Sequence, residues 1–147
     1  MRNHFLKTIT MIGALIILSA VSGRAQAGAG FTVVVPFDFS VSGKVLPAGE
    51  YIVARSQPFN EGFKISAKEG SAGAFLQTLP VQKIENEVRT KVVFKRYGNE
   101  YFLSQIWISG RNTGRELRKS RQERALEREL AARAVKPETI AVAGKAR

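Results

Sequence analysis

Hydrophobic and polar residues alternate along much of the chain between residues 31 and 108, and this alternation predicts β-strands. In one short segment Phe37, Phe39 and Val41 alternate with polar residues, which places the three apolar side chains on one face of an extended strand. Pro36, immediately before this segment, has no backbone N–H to donate. We therefore expect an edge position or a bulge there.

A β-hairpin is the clearest local signal in the sequence. Residues 90–97 and 100–108 are two runs rich in β-branched and aromatic residues, and only Gly98 and Asn99 separate them. A two-residue loop that begins with glycine is typical of a tight hairpin turn. The sequence therefore predicts two antiparallel neighbouring strands here.

The register of this hairpin predicts which side chains enter the core. With the two-residue loop, Phe94 faces Leu103 across the strand pair. Val92 and Trp107 fall on the same face, and we predict that this face is buried. A loop one residue longer would reassign these partners.

Shorter strand-like runs, separated by glycine and proline, precede the hairpin at residues 31–35, 50–55, 63–67 and 74–79. About seven short strands with no helical period between them predict an all-β fold, either an antiparallel sandwich or a small barrel. A parallel sheet is disfavoured. An outer-membrane barrel is also disfavoured, because the strands are short and a charged segment follows the last of them.

The charged segment predicts a helix over residues 114–136. Thr113 and Glu116 have the spacing of a capping box, and Pro137 should end the helix. The apolar stripe of this helix is narrow and consists of Leu117, Leu126, Leu130 and Ala134. Such a helix docks only weakly along its length, and we expect residues 137–147 to be disordered.

The first 27 residues have the pattern of a removable export signal. Arg2 and Lys7 precede an apolar run over residues 8–21, and Ala25-Gln26-Ala27 fits the small-residue pattern of a cleavage site. That run is shorter than the roughly 20 residues that a membrane span needs. We therefore predict a signal peptide over 1–27, a β domain over 28–113 and a periplasmic or secreted mature protein.

Composition excludes several kinds of chemistry. The chain has no cysteine, and its one histidine, His4, lies in the predicted signal. A mature chain without imidazole or thiol cannot build a His-assisted nucleophile, a His/Cys zinc site, a covalently attached haem or a disulfide. We predict no enzymatic activity, no cofactor and no metal site.

The formal net charge of the whole chain is +11, and the predicted tail is more basic than the body. Closely spaced cations attract phosphate-bearing polyanions or anionic lipid headgroups. The candidate polyanion-binding residues are Arg115, Arg118, Lys119, Arg121, Arg124 and Arg128. Interleaved glutamates weaken this field, so a solvated helix that only keeps the protein soluble is the competing interpretation. Nucleic acid is a disfavoured partner, because the protein is exported and the helix has no aromatic residue for stacking.

Three carboxylates are alternative chemical candidates. Asp38, Glu85 and Glu87 would serve a carboxylate-dependent hydrolase only if they converged in one cleft. Glu85 and Glu87 could also contribute to a calcium site. Solvated strand and loop positions are the favoured interpretation of all three carboxylates.

Two further binding modes are open. The aromatic residues Tyr51, Tyr97, Tyr101 and Trp107 could line a carbohydrate-binding face, although aromatic residues at strand spacing usually belong to a core. A lipocalin-like carrier would require a closed barrel with an empty apolar interior.

Four sequence motifs together resemble a family of small exported bacterial proteins of unknown function. They are Val35-Pro-Phe-Asp-Phe-Ser-Val41, Leu46-Pro-Ala-Gly-Glu-Tyr51, the hairpin segment from Val93 to Leu103, and Gly114-Arg-Glu-Leu-Arg-Lys-Ser-Arg-Gln-Glu-Arg124. The resemblance implies an exported β domain and assigns no catalytic or ligand-binding residue. The leading expectation is therefore a non-enzymatic binding or structural module of the cell envelope or exterior.

Overall fold

The computed structural model describes residues 30–56, 62–82 and 89–147. This part of the chain forms ten β-strands and one α-helix. The strands are β1 Phe31–Val35, β2 Phe39–Val41, β3 Lys44–Leu46, β4 Gly49–Arg55, β5 Gly62–Ala67, β6 Gly73–Gln82, β7 Lys91–Tyr97, β8 Glu100–Trp107, β9 Thr113–Leu117 and β10 Glu138–Ala146. The helix α1 spans Arg121–Ala132.

Eight of the ten described strands close into an antiparallel barrel. Their order around the barrel is β8, β7, β10, β1, β4, β5, β6 and β9, and β9 pairs with β8 to complete the circle. The short hairpin of β2 and β3 lies outside this circle, where Ser40 on β2 pairs in parallel with Phe102 on β8. The all-β prediction is confirmed, and of its two alternatives the structure has the barrel.

The apolar side chains that alternate along the strands fill the interior of the barrel. On β1 and β4, Val33, Val35, Tyr51 and Val53 are each at most 1% exposed, and they belong to one hydrophobic cluster with the inward residues of the other strands. Fully burying a side chain of the size of valine or phenylalanine contributes about 1.5–3 kcal/mol. Burial of this face therefore fixes the register of each strand.

The predicted hairpin is present, with a bulge that the sequence did not reveal. Phe94 pairs with Leu103 as expected, but Val93 pairs with Gln105, so Ser104 has no partner on β7. The extra residue turns Trp107 away from the interior. Trp107 is buried, yet it lies outside the main core cluster, so its predicted place on the core face was wrong.

The predicted helix over 114–136 is shorter than expected. Residues Thr113–Leu117 form β9, which pairs with both β6 and β8, and α1 begins only at Arg121. The cap is Ser120, whose hydroxyl accepts a hydrogen bond of 3.1 Å from the amide of Glu123. Local helix propensity near Thr113 loses to β pairing, because two open strand edges are available there.

The C-terminal residues are ordered as a strand, so the expected disorder of 137–147 was wrong. Strand β10 inserts between β7 and β1, with Ile140 and Val142 half-buried against the core. The backbone of β10 hydrogen-bonds to a neighbour on each side, and these ladders compensate for its modest apolar content.

The segment 1–27 predicted as a signal lies outside the described residues, as do Glu85 and Glu87. Among the residues that the structure describes, no helix has the length and apolarity needed to cross a membrane.

Candidate functional site

The structure separates the six basic residues predicted as one site. Arg115 lies on β9, whereas Arg118 and Lys119 lie in the link that leads to α1. Arg118 lines an open groove of about 480 Å³ together with the exposed Phe75 and Leu79 on β6. The other three residues, Arg121, Arg124 and Arg128, lie on the helix. The six predicted residues are therefore distributed over β9, the link and α1, and do not lie on one helix.

The three helical arginines share one face of α1. Arg121, Arg124 and Arg128 are spaced by three and four residues, which places them on neighbouring turns of the same side. All three are exposed. We call these three residues the arginine row.

The glutamates of α1 are all engaged elsewhere. Glu127 forms an ion pair with Lys119 at an N···O distance of 2.5 Å, and Glu129 forms one with Arg133 at 2.8 Å. Glu123 is buried and accepts a hydrogen bond from a tyrosine. In the described part of the chain, no carboxylate pairs with a member of the arginine row. The interleaved acids therefore neutralise the row less than the sequence suggested.

The buried glutamate attaches the helix to the barrel. The hydroxyl of Tyr97 on β7 donates to Glu123 over 3.2 Å, and the Tyr97 ring packs edge-on against Phe102. Burial raises the pKa of Glu123, with the nearby charge of Glu127 acting in the same direction, while the Tyr97 hydrogen bond and Lys119 oppose this rise. Burial also raises the pKa of Tyr97. This contact holds the arginine row on the outside of the barrel.

Of the three candidate carboxylates, the structure describes only Asp38, which lies in a loop contact. Asp38 accepts a 2.8 Å hydrogen bond from the amide of Ala48, which ties the corner before β2 to the turn before β4. The carbonyl of Pro47 in that turn accepts a 2.6 Å bond from the Tyr51 hydroxyl. Asp38 therefore has a structural role in this loop contact. Within residues 30–56, 62–82 and 89–147, no group of three acidic or histidine side chains could hold a metal ion.

The aromatic residues proposed as a carbohydrate face belong mainly to the packing of the barrel. Tyr51, Tyr97 and Trp107 are each at most 3% exposed. Tyr101 is half-buried and stacks on Phe37 with ring centroids 3.9 Å apart. These side chains do not present a shared open platform to a sugar.

The interior of the barrel is occupied by its own side chains. Phe39, Tyr51, Phe63 and Phe94 are among the largest fully buried residues, and Phe39 makes edge contacts with both Tyr51 and Phe94. An eight-stranded barrel is just wide enough for such side chains to fill it. In the part of the chain that the structure describes, a filled core therefore stands where the carrier hypothesis requires an empty interior.

The fold places Arg115 beside two arginines that sequence reasoning missed. Arg55 at the end of β4 and Arg111 in the turn after β8 lie near Arg115; burial lowers the pKa of Arg55, and the charges of Arg111 and Arg115 lower it further. The available signal was the alternation on β4, where Arg55 follows the buried Val53 by two residues and so shares its inward face. We call Arg55, Arg111 and Arg115 the barrel-end arginines.

Comparisons of the chain with family models, with curated proteins and with solved structures found no match. The resemblance of the four motifs to a family of exported proteins thus remains a prediction.

Proposed function

We propose that this protein is an exported, non-enzymatic binding domain that attaches to anionic polymers or lipid headgroups through the arginine row on α1. The observation that carries the proposal is the exposure of Arg121, Arg124 and Arg128 on one helix face while the helix glutamates are engaged elsewhere.

Geometry supports a surface mode of binding. The row occupies about two turns of a helix that is fixed to the barrel at Glu123, so its charges are held at roughly constant spacing. A repeating polyanion or a headgroup layer can contact all three guanidinium groups at once, and each contact gains from the charge. Such attraction is long-ranged and weakens as salt is added.

The test is retention on heparin and on vesicles that contain anionic lipid. The variant R121Q/R124Q/R128Q should elute from heparin at clearly lower salt than the wild type and lose most of its binding to anionic vesicles, because each neutralised cation near such a surface removes about 1 kcal/mol. Truncating the chain before α1 is unsuitable, since it would also delete β10 and open the barrel.

A matched variant separates this surface from net charge. K44Q/K64Q/K145Q also removes three positive charges, but from exposed positions on β3, β5 and β10. It should retain nearly wild-type elution. Equal losses in the two triple variants would reduce the effect to overall charge and refute the arginine row as the binding surface.

A further inference from the structure

We propose a second anion site at one end of the barrel, where Arg55, Arg111 and Arg115 bind a terminal phosphate or sulfate group. This site is separate from the arginine row and would take a discrete tetrahedral anion instead of an extended charged surface.

The strand directions bring the three residues to the same end. Strands β4, β5, β6 and β9 are successive antiparallel neighbours, so the last residue of β4 and the first residues of β9 lie at one rim. The turn between β8 and β9, which carries Arg111, lies at that rim too. Arg55, Arg111 and Arg115 therefore come from three separate parts of the sequence.

The side chains of two of these arginines point inward. Arg55 follows the buried Val53 at strand spacing, and Arg115 precedes the buried Leu117 in the same way. Both are half-buried, and the guanidinium of Arg55 lies 5.9 Å from the centre of the Phe63 ring. Phe63 itself is buried in the core, so the ring forms a floor beneath the cation.

The three positively charged guanidinium groups repel one another. Among the described residues, no carboxylate forms an ion pair with Arg55, Arg111 or Arg115. Burial lowers the pKa of Arg55, and the charges of Arg111 and Arg115 lower it further. Bringing two half-buried cations and the exposed Arg111 together costs free energy, and a bound anion would offset this cost.

The hydrogen-bonding geometry of guanidinium and the filled barrel interior together limit the kind of ligand that can bind. A guanidinium donates two parallel hydrogen bonds, which match the oxygens of phosphate or sulfate. Because Phe63 and its neighbours occupy the barrel interior, only the anionic group can enter the rim. The remainder of the ligand must project into solvent, which fits a phosphate or sulfate at the end of a larger molecule.

The experiment is a titration of the full chain with sodium phosphate and, separately, with sodium sulfate at constant ionic strength. Arginine side-chain Nε–H signals in NMR spectra report binding at each residue. Saturable shifts should appear at Arg55, Arg111 and Arg115, and sodium chloride should not reproduce them. Shifts that never saturate, or that chloride matches, would overturn the site. A response to only one of the two anions would identify which ester the site prefers.

R111Q is the most informative variant, because Arg111 is exposed in a turn and its loss should not disturb folding. Losing one charge-assisted contact should weaken phosphate binding about tenfold. Without ligand, R111Q should raise the thermal midpoint at low salt by relieving repulsion, and phosphate should then stabilise it less than the wild type. A lower midpoint together with unchanged phosphate affinity would refute the proposal.

The two proposals fail independently. R121Q/R124Q/R128Q should keep the phosphate response while losing heparin retention. R111Q should keep heparin retention while its phosphate binding weakens. Loss of the phosphate response in the arginine-row variant would show nonspecific screening and would remove the barrel-end site.

Discussion

At the scale of single residues, polar side chains fix loops and elements to one another. Asp38 holds the amide of Ala48, and Ser120 caps α1. Glu123 is a carboxyl that is only 5% exposed, and its buried hydrogen-bond partner is Tyr97. Its protonation should therefore influence how firmly the helix packs on the barrel.

Burial raises the pKa of Glu123 above its ordinary 4.5, so the folded state binds this proton more tightly than the unfolded state does. Its contribution to stability is fully present below pH 4.5 and decreases as the pH rises through the folded-state pKa. We expect the free energy of unfolding of the wild type, measured relative to E123Q, to fall as the pH rises from 4.5 through the folded-state pKa of Glu123. Urea unfolding of both proteins across a pH series measures this difference.

Y97F provides the matched control for this effect. It removes the hydroxyl that donates to Glu123 but keeps the carboxyl, so it should cost about 1–3 kcal/mol and retain a pH-dependent contribution from Glu123. If E123Q and the wild type change in parallel with pH, Glu123 is not the group responsible.

At the scale of elements, the sequence motifs that resemble an exported family describe packing. Phe37 of the first motif stacks on Tyr101 and packs edge-on against Phe94 of the hairpin motif. Asp38 of the first motif bonds to Ala48 of the second, and Glu123 of the last motif bonds to the hairpin through Tyr97. The four motifs thus meet around β2, β7 and β8, so the contacts named here serve packing and give no direct information on a ligand.

Strand β10 depends on a close approach that only glycine permits. A Cβ on Gly144 would lie 2.5 Å from Cδ2 of the buried Phe31. G144A should therefore destabilise the barrel by about 1–3 kcal/mol, because the Phe31 ring must shift within a packed core. Equilibrium unfolding in urea measures the change.

A143V is the control on the same strand. Ala143 is exposed, so its enlargement should change stability by no more than about 0.5 kcal/mol. Equal effects of G144A and A143V would mean that general strain in β10, and not the contact with Phe31, accounts for the loss.

At the scale of the whole molecule, the barrel closes only when both ends of the described chain are present. Strand β1 begins at Phe31 and pairs with β10, which ends at Ala146. Closure leaves no open edge on either strand, and open edges invite aggregation. The chain must therefore be complete before its last strand can occupy the gap between β7 and β1.

Cleavage at the predicted signal site is compatible with this closure. A cut before Gly28 would leave three residues ahead of β1 and would keep all ten described strands. We expect N-terminal sequencing of the protein recovered from the exported fraction to begin at Gly28. A start at Met1 in that fraction would refute the signal peptide.

Much of the β architecture could be predicted from the sequence, because alternation and turn residues act locally. Phe94 and Leu103 were paired correctly, since the glycine turn sets the register nearest to it. No local sequence pattern indicated the bulge at Ser104, and this bulge reverses the predicted orientation of Trp107. The helix start was misplaced for a similar reason, because Thr113 can cap a helix or join a strand according to its neighbours.

Composition sets the net charge and the absence of cysteine, and the order of neighbouring residues sets the strand periodicity and the hairpin. That residues 138–146 form a strand, and that Arg55, Arg111 and Arg115 share a rim, emerges only from the folded barrel. Those outcomes depend on which edges and surfaces meet after closure, and pairings between distant segments leave no local pattern in the sequence.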